Sequence, residues 1–344
     1  MRKALELKKC NSKSINQITT THPDAPTNAH ARATMEGLDI IALDGFDVAG
    51  DSHVVTTRHG PVTVTVQGDR RKPALVTFHD VGLNHRTCFQ PLFVCAGPRS
   101  DLVSKFCAYH IDAPGCQDGA VEEQSQTSDA GGATPSLDSL AERCEDVILH
   151  FNLNNVTVLG VGAGATVMAL YASRLASRCA AAIFVSPSCG RASTMEHILG
   201  ATCKFNMGRH GWTPWTTQHL LKRMFSYRSL GGSLGLYGSD LAQTAKREMS
   251  EMNAKAVLAY YNAALHRLDN SHIYSSLDID CIILAGQYSP WYKDTILMNS
   301  LMRASKTTWI ELEGCGTVAT MEDPSALLSP INLFIQRLKS DGLV

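Results

Sequence analysis

The sequence predicts an α/β protein whose mostly parallel central sheet is flanked by helices on both faces. Three observations carry this expectation. An alternating hairpin opens the patterned part of the chain. Short apolar runs then recur, separated by amphipathic helical patterns. A Gly-rich strand–turn–helix falls at 160–165, midway along the chain.

The elements follow in order. Val62, Val64 and Val66 alternate with Thr63 and Thr65 after a Gly60-Pro61 turn, and Val54-Val55-Thr56-Thr57 before it is the hairpin partner. Residues 74–78 form a short apolar run closed by His79-Asp80, as a buried strand entering a loop should look. Further buried strands are expected at 106–111, 156–160, 181–186, 281–285 and 308–312. Leu137, Leu140, Ala141, Cys144, Val147, Ile148 and Phe151 follow a helical period, with Ser136 as N-cap. Residues 324–338 give the last helix.

From about 190 to 277 the alternation stops. Helices start instead at Thr213-Pro214 and at Ser239-Asp240, separated by Gly231-Gly232-Ser233. This stretch reads as a helical cap inserted between strands 6 and 7, over the carboxyl ends of the strands where substrate lids sit in α/β enzymes. The expected organisation is therefore a flexible N-terminal tail at 1–37, a core at 38–189 and 278–344, and a cap at 190–277. The acidic, Gly- and Ser-containing stretch 121–135 is expected to be a surface loop.

Bulk properties narrow the function. The 344 residues are 44% hydrophobic and 18% charged, enough for a full core. A net charge of −1 provides no overall drive toward nucleic acid or an anionic membrane, and no stretch reaches the ~18 apolar residues of a membrane span. The eleven cysteines are odd in number, and Cys107, Cys144, Cys179 and Cys281 lie in apolar stretches, which points to reduced thiols and a cytoplasmic location. The first 21 residues are basic apart from Glu6, but no apolar segment follows as in a signal peptide.

The most informative motif is Gly160-Val161-Gly162-Ala163-Gly164-Ala165. Its setting is that of a G-x-S-x-G nucleophile elbow, in which a sharp turn between strand and helix holds the attacking serine. Here the middle position is Gly162, and a hydrogen cannot attack a carbonyl. The same residues satisfy the dinucleotide pattern G-x-G-x-x-A. That pattern requires an acidic residue about 20 positions on, whereas the next strand and the Pro187-Ser188-Cys189-Gly190 after it contain none. An α/β-hydrolase fold is thus expected, and no cofactor.

The other reactive positions of such a hydrolase can be located by spacing. The acid slot, three residues beyond Gly286, holds Ser289. The histidine slot, counted back from Glu322-Asp323-Pro324, holds Thr317 after Gly316. Neither can relay a proton as carboxylate and imidazole do. In the loop that builds the oxyanion hole Asp80 follows His79, placing a carboxylate where negative charge would develop. The chain is therefore expected to be non-enzymatic.

A vestigial pocket can still be drawn from His79, Asp80, His85, Asp112 and Ser186. The first three could form an acid–base or metal site, but hydrogen bonding to loop backbone is the favoured reading. Ser186 and Ser188 are strand-end serines without an evident His–Asp pair, and Asp112-Ala113-Pro114-Gly115 reads as a structural turn. The thirteen histidines show no H-E-x-x-H spacing, so no metal is expected. Met207, Trp212 and Trp215 are either cap core or a contact patch.

Several motifs together bring a family into view. His79-Asp80-Val81-Gly82-Leu83-Asn84-His85 with Cys88-Phe89, Ile111-Asp112-Ala113-Pro114-Gly115 with Gly119-Ala120, and the Gly160–Ala165 turn resemble the N-myc downstream-regulated (NDR) family in order and spacing. The similarity runs from about Ser52 to Leu338. Cys88-Phe89-Gln90 with Leu92-Phe93, Phe184-Val185-Ser186-Pro187 and Gly314-Cys315-Gly316 resemble its plant branch. The resemblance implies a capped α/β-hydrolase-like fold without demonstrated hydrolase activity, acting in growth, differentiation or stress responses. For the plant branch it implies protein partners, with G-protein βγ signalling and auxin transport as the context. The rival expectation is a diverged esterase or lyase working through His79, Asp80 and Ser186.

Overall fold

Alternation in the opening segment produces a hairpin. β1 (Asp51–Thr57) pairs antiparallel with β2 (Gly60–Gln67), with Val55 opposite Val62 and both side chains buried. The computed structural model describes residues 50–120, 134–232 and 239–343. The expected tail at 1–37, most of the expected loop at 121–135, and Ser233 lie outside the described residues.

The remaining strands are β3 (Ala74–Phe78), β4 (Cys107–Ile111), β5 (Val156–Val161), β6 (Cys179–Val185), β7 (Asp280–Gly286) and β8 (Thr307–Leu312). They build one eight-stranded sheet in the order β1-β2-β4-β3-β5-β6-β7-β8. Beyond the β1–β2 and β2–β4 pairs, every pairing is parallel. Every residue of β3, β4 and β5 is buried. This is why those segments read as unbroken apolar runs, without a solvent-facing alternation.

Helices cover the sheet in two packed groups. α1 (His85–Ala96) contacts α11 (Ala319–Glu322) and α12 (Pro324–Ser340), and α2 (Asp101–Lys105) also contacts α12. α3 (Leu137–His150) contacts α4 (Ala163–Arg174), which reaches α9 (Ser271–Ser276), and α9 contacts α10 (Tyr292–Leu301). Ser136 caps α3 as expected, and Ser139 returns a hydrogen bond to the cap backbone. α1 escaped the periodicity reading because Pro91 interrupts its pattern; its start is set by Asn84 and Thr87, which cap each other's backbone N–H groups. β4 begins at Cys107 because Phe106 ends α2.

Among the described residues five helices link β6 to β7: α5 (Thr194–His210), α6 (Pro214–Met224), α7 (Asp240–Glu251), α8 (Ala254–Leu265) and α9. Thr213 and Ser239 cap α6 and α7. Two carboxylates fasten this insertion to the loops after the strands. Asp294 Oδ2 accepts the N–H groups of Cys189 and Gly190 at 2.9 and 3.1 Å. Glu322 accepts from Ser226 N–H at 3.0 Å, from the Ser226 and Ser229 hydroxyls, and from Gly316 N–H at 2.6 Å. The ten described cysteines are free thiols, and Cys95 alone among them is exposed.

Candidate functional site

The site is built around the turn that joins β5 to α4. Gly162 has φ 56° and ψ −120°, backbone that strongly favours glycine. Gly164 is required by close approach: a Cβ there would lie 2.2 Å from Phe78 O and 2.4 Å from His79 O. The end of β3 therefore presses directly on the first turn of α4. That contact delivers the next residue, Asp80, to the elbow.

Asp80 fills the nucleophile's place. A Cβ on Gly162 would fall 2.4 Å from Asp80 Cγ and 2.5–2.6 Å from both carboxylate oxygens. Asp80 Oδ1 accepts the Ala163 backbone N–H at 2.9 Å. In an active elbow, the N–H after the nucleophile is an oxyanion-hole donor. Here the Asp80 side chain takes it, at a helix N-terminus where the helix dipole favours negative charge. Arg223 Nη2 lies 3.6 Å from the same oxygen, and its guanidinium is stacked 4.6 Å from the centre of the Trp291 ring. Asp80 is fully buried, and among the described residues its Oδ2 has no hydrogen-bond partner.

Ser289 and Thr317, the expected acid and histidine slots, are brought together. Their hydroxyls lie 3.0 Å apart. Thr317 donates onward to Arg223 O at 2.9 Å, while Ser289 Oγ accepts Trp291 N–H at 3.3 Å. These bonds form a chain from Trp291 N–H through two hydroxyls to the backbone of α6. It holds the strand-end loops to the insertion and contains no imidazole or carboxylate to take a proton.

The five residues of the expected vestigial pocket are placed differently. His79 is wholly buried. Its Nδ1–H donates to Asp80 O at 2.8 Å, and its Nε2 accepts Ala113 N–H at 2.9 Å. Burial pushes its pKa down despite the Asp112 charge, so the ring is neutral and both nitrogens are occupied. Tyr260 of α8 donates to His79 O at 2.8 Å. His85 and Asp112 form an ion pair, with the His85 backbone N–H and Nδ1–H donating to the two carboxylate oxygens, each at 2.7 Å. Ser186 stands apart. Its hydroxyl accepts Gly286 N–H at 3.0 Å, and among the described residues it makes no hydrogen bond to His79 or Asp80.

Sequence reasoning missed Arg223, Tyr260 and Trp291. No spacing marks them, because the insertion folds back over the loops only in three dimensions. Glu322 was visible as part of the Glu-Asp-Pro helix start, but not as the acceptor for Ser226 and Ser229. The cap aromatics divide: Met207 is buried, Trp212 donates to Met252 O at 2.8 Å, and Trp215 is exposed and stacked on His219. Among the described residues no cluster of His, Cys, Asp or Glu is arranged to hold a metal ion.

Two cavities lie elsewhere. An open groove of about 600 Å³ runs along β8 and α12, past Glu311, Glu313 and Leu333. A cavity of about 450 Å³ lies between the start of α3 and the insertion, lined by Ser136, Lys204, His266 and Arg267 among others. Neither is lined by Asp80, Gly162, Ser289 or Thr317, and Asp80, His79, Ser186 and Thr317 have no exposed surface.

Two outcomes follow from this geometry. Gly162→Ser should destabilise the fold by about 2–3 kcal/mol through overpacking against Asp80. Asp80→Gly in the same chain should recover part of that loss, so chemical denaturation of both singles and the double should show strong non-additivity; additive losses would contradict the contact. The second concerns pH. Burial lowers the His85 pKa, but the hydrogen bond and charge of Asp112 outweigh it and raise the value above the usual 6.5. Burial raises Asp112, but the His85 contacts outweigh it and hold the value below 3.8. The His85 contribution is thus complete below pH 6.5 and lost as pH rises through its folded value, while that of Asp112 is complete above 3.8. The stability difference between the wild type and His85→Gln, read from urea unfolding, should be largest between these limits and shrink toward alkaline pH.

Comparison with known proteins places this geometry. The Ndr family model matches residues 52–339. Protein NDL1 of Arabidopsis thaliana is 34% identical over 288 residues, covering 84% of this chain and 82% of the relative. Protein NDL3 of the same plant is 32% identical, covering 87% and 86%. A thermophilic esterase from Thermogutta terrifontis superposes with a TM-score of 0.67 at 14% identity, over 84% of this chain and 99% of the esterase. At that identity the likeness shows shape alone, and the shape is the α/β-hydrolase fold with its mostly parallel sheet flanked by helices. Family-model match and plant relatives together cover the sheet, the elbow and the inserted helices, and the chain belongs to the Ndr family.

Proposed function

We propose that this chain is a non-catalytic member of its family that acts by binding protein partners in cytoplasmic growth, differentiation or stress signalling. The observation that carries the non-catalytic part is Asp80. Its carboxylate occupies the space of a nucleophile's side chain and uses the Ala163 N–H that an oxyanion would need. A substrate carbonyl entering there would meet negative charge in a volume already filled. The paired hydroxyls of Ser289 and Thr317 supply no base. Helices α5 to α9 act as a cap that closes the strand ends.

The rival esterase or lyase reading requires His79, Asp80 and Ser186 to converge on one substrate. Both His79 nitrogens are committed to backbone, Asp80 faces the elbow, and Ser186 serves Gly286. The partner class rests on the plant-branch resemblance, which brings G-protein βγ and auxin transport as its context.

Purified protein should show no turnover above buffer across a panel of esters and lactones. Turnover that disappears in His79→Ala or Ser186→Ala would overturn the non-catalytic reading. Co-precipitation with a G-protein βγ complex tests the partner, and enrichment no greater than that of an unrelated α/β-hydrolase would count against it.

A further inference from the structure

β8 ends the sheet, and its outer edge is open. Thr307, Thr308, Trp309 and Ile310 are half-buried there, whereas every residue of β3, β4 and β5 is buried. On the inner side Cys281 N–H donates to Lys306 O at 2.8 Å, and Gln287 N–H donates to Leu312 O at 3.1 Å. The register between them is unbroken, so Thr308, Ile310 and Leu312 turn their backbone groups toward β7. Trp309 and Glu311 therefore turn theirs outward, and among the described residues these groups have no hydrogen-bond partner. β1, the other edge strand, borders neither of the two cavities, while β8 borders the larger one.

That groove has an apolar wall and an acidic rim. Trp309 Nε1–H donates to Thr295 Oγ1 at 3.2 Å and Glu311 accepts the Tyr292 hydroxyl, so these two side chains lie against α10. Ile310 and Leu312 lie on the other face, beside a stripe of α12 made of Ala326, Pro330 and Leu333. Leu333 is 65% exposed. Glu311, Glu313 and Asp323 line the groove against one cation, Arg228, and none of the three carboxylates has an ion pair among the described residues. The cations at the start of the strand are already engaged, Lys306 by Asp278 and Arg337 by Asp280. A second copy of β8 would bring like charges together, which is one way that sheet edges avoid pairing with themselves.

We infer that this edge takes up an extended, basic peptide of a partner protein as an added strand. The outward N–H and C=O groups of Trp309 and Glu311 supply its main-chain hydrogen bonds. Side chains alternate across a strand, so every second residue of the peptide falls over the α12 stripe and the others fall beside Glu311. The matching sequence therefore alternates apolar residues with Lys or Arg. Neither Asp80 nor Gly162 lines this groove, so the inference stands apart from the non-catalytic reading of the elbow.

Titration of the full chain with a synthetic peptide, acetyl-Val-Lys-Val-Arg-Val-Lys-Val-amide, tests this. A dissociation constant on the order of 10–100 μM is expected, and the same peptide with Glu in place of Lys and Arg should not bind. Amide hydrogen exchange, read residue by residue by NMR, reports the edge itself. In the free protein Trp309 and Glu311 should exchange about tenfold faster than Ile310 and Leu312, and the peptide should remove that difference. Glu311→Gln keeps the outward N–H and should weaken binding about two- to fivefold. Glu311→Pro removes that N–H and should weaken binding about tenfold or more. Leu333→Ser should weaken it about tenfold without touching the edge. Retained protection of Ile310 and Leu312 in each variant shows that the β7 ladder is intact. No binding at about 1 mM peptide overturns the inference, as does equal binding of the Glu peptide. Exchange at Trp309 and Glu311 that ignores the peptide overturns it too, as does self-association through β8 in place of peptide uptake. These readings are independent of ester turnover and of co-precipitation with G-protein βγ.

Discussion

The carboxylate of Asp80 against the backbone of Gly162 and Ala163 is the contact on which the rest of the site depends. Burying a carboxylate costs several kcal/mol unless its environment answers the charge. Here the answer comes from three directions: the Ala163 N–H, the N-terminal end of α4, and the Arg223 guanidinium. The first two are what an α/β-hydrolase presents to the charged intermediate of acyl transfer. The elbow has thus kept its electrostatic preference for negative charge and satisfied it with a residue of its own chain.

That arrangement explains why the insertion sits as it does. Arg223 comes from α6 and can face Asp80 only if α6 ends over the strand termini. Thr317 accepts a place beneath it by donating to Arg223 O, and Val318 N–H donates to Met224 O at 3.0 Å. Glu322 then gathers Ser226, Ser229 and Gly316 around one carboxylate. Polar groups that serve proton transfer in a hydrolase are replaced here by ones that join two layers of structure. The insertion is held to the loops after the strands by these hydrogen bonds.

Much of this was legible in the sequence because it is local. Strand positions followed from apolar runs, α3, α6 and α7 from their Ser and Thr caps, and the elbow from glycines whose spacing reports a backbone constraint. Ser289 and Thr317 could be placed by counting from Gly286 and from Glu322-Asp323-Pro324, and the structure puts their hydroxyls 3.0 Å apart. What was not legible depends on contacts between distant segments. Nothing near Arg223 in the chain announces Asp80, 143 positions away by subtraction of their numbers. Tyr260 meets His79 only after α8 has folded back. For α5 the sequence is ambiguous in principle: its apolar residues surround the helix, so periodicity cannot say which face is buried.

Asp80 and Gly162 also constrain each other. With Asp80 present, any side chain at 162 would collide with its carboxylate. With Asp80 removed, Arg223 would keep its stacking on Trp291 but lose the acceptor that Asp80 offers at 3.6 Å, in a setting where its side chain is mostly buried. A nucleophile could not appear without first vacating the space, and vacating the space unsettles the residue that anchors α6. Ser289 and Thr317 add a second barrier, since a carboxylate or imidazole in either place must be fitted into a closed hydroxyl chain. Asp80, Gly162, Ser289 and Thr317 are thereby packed so that each position is limited by its neighbours.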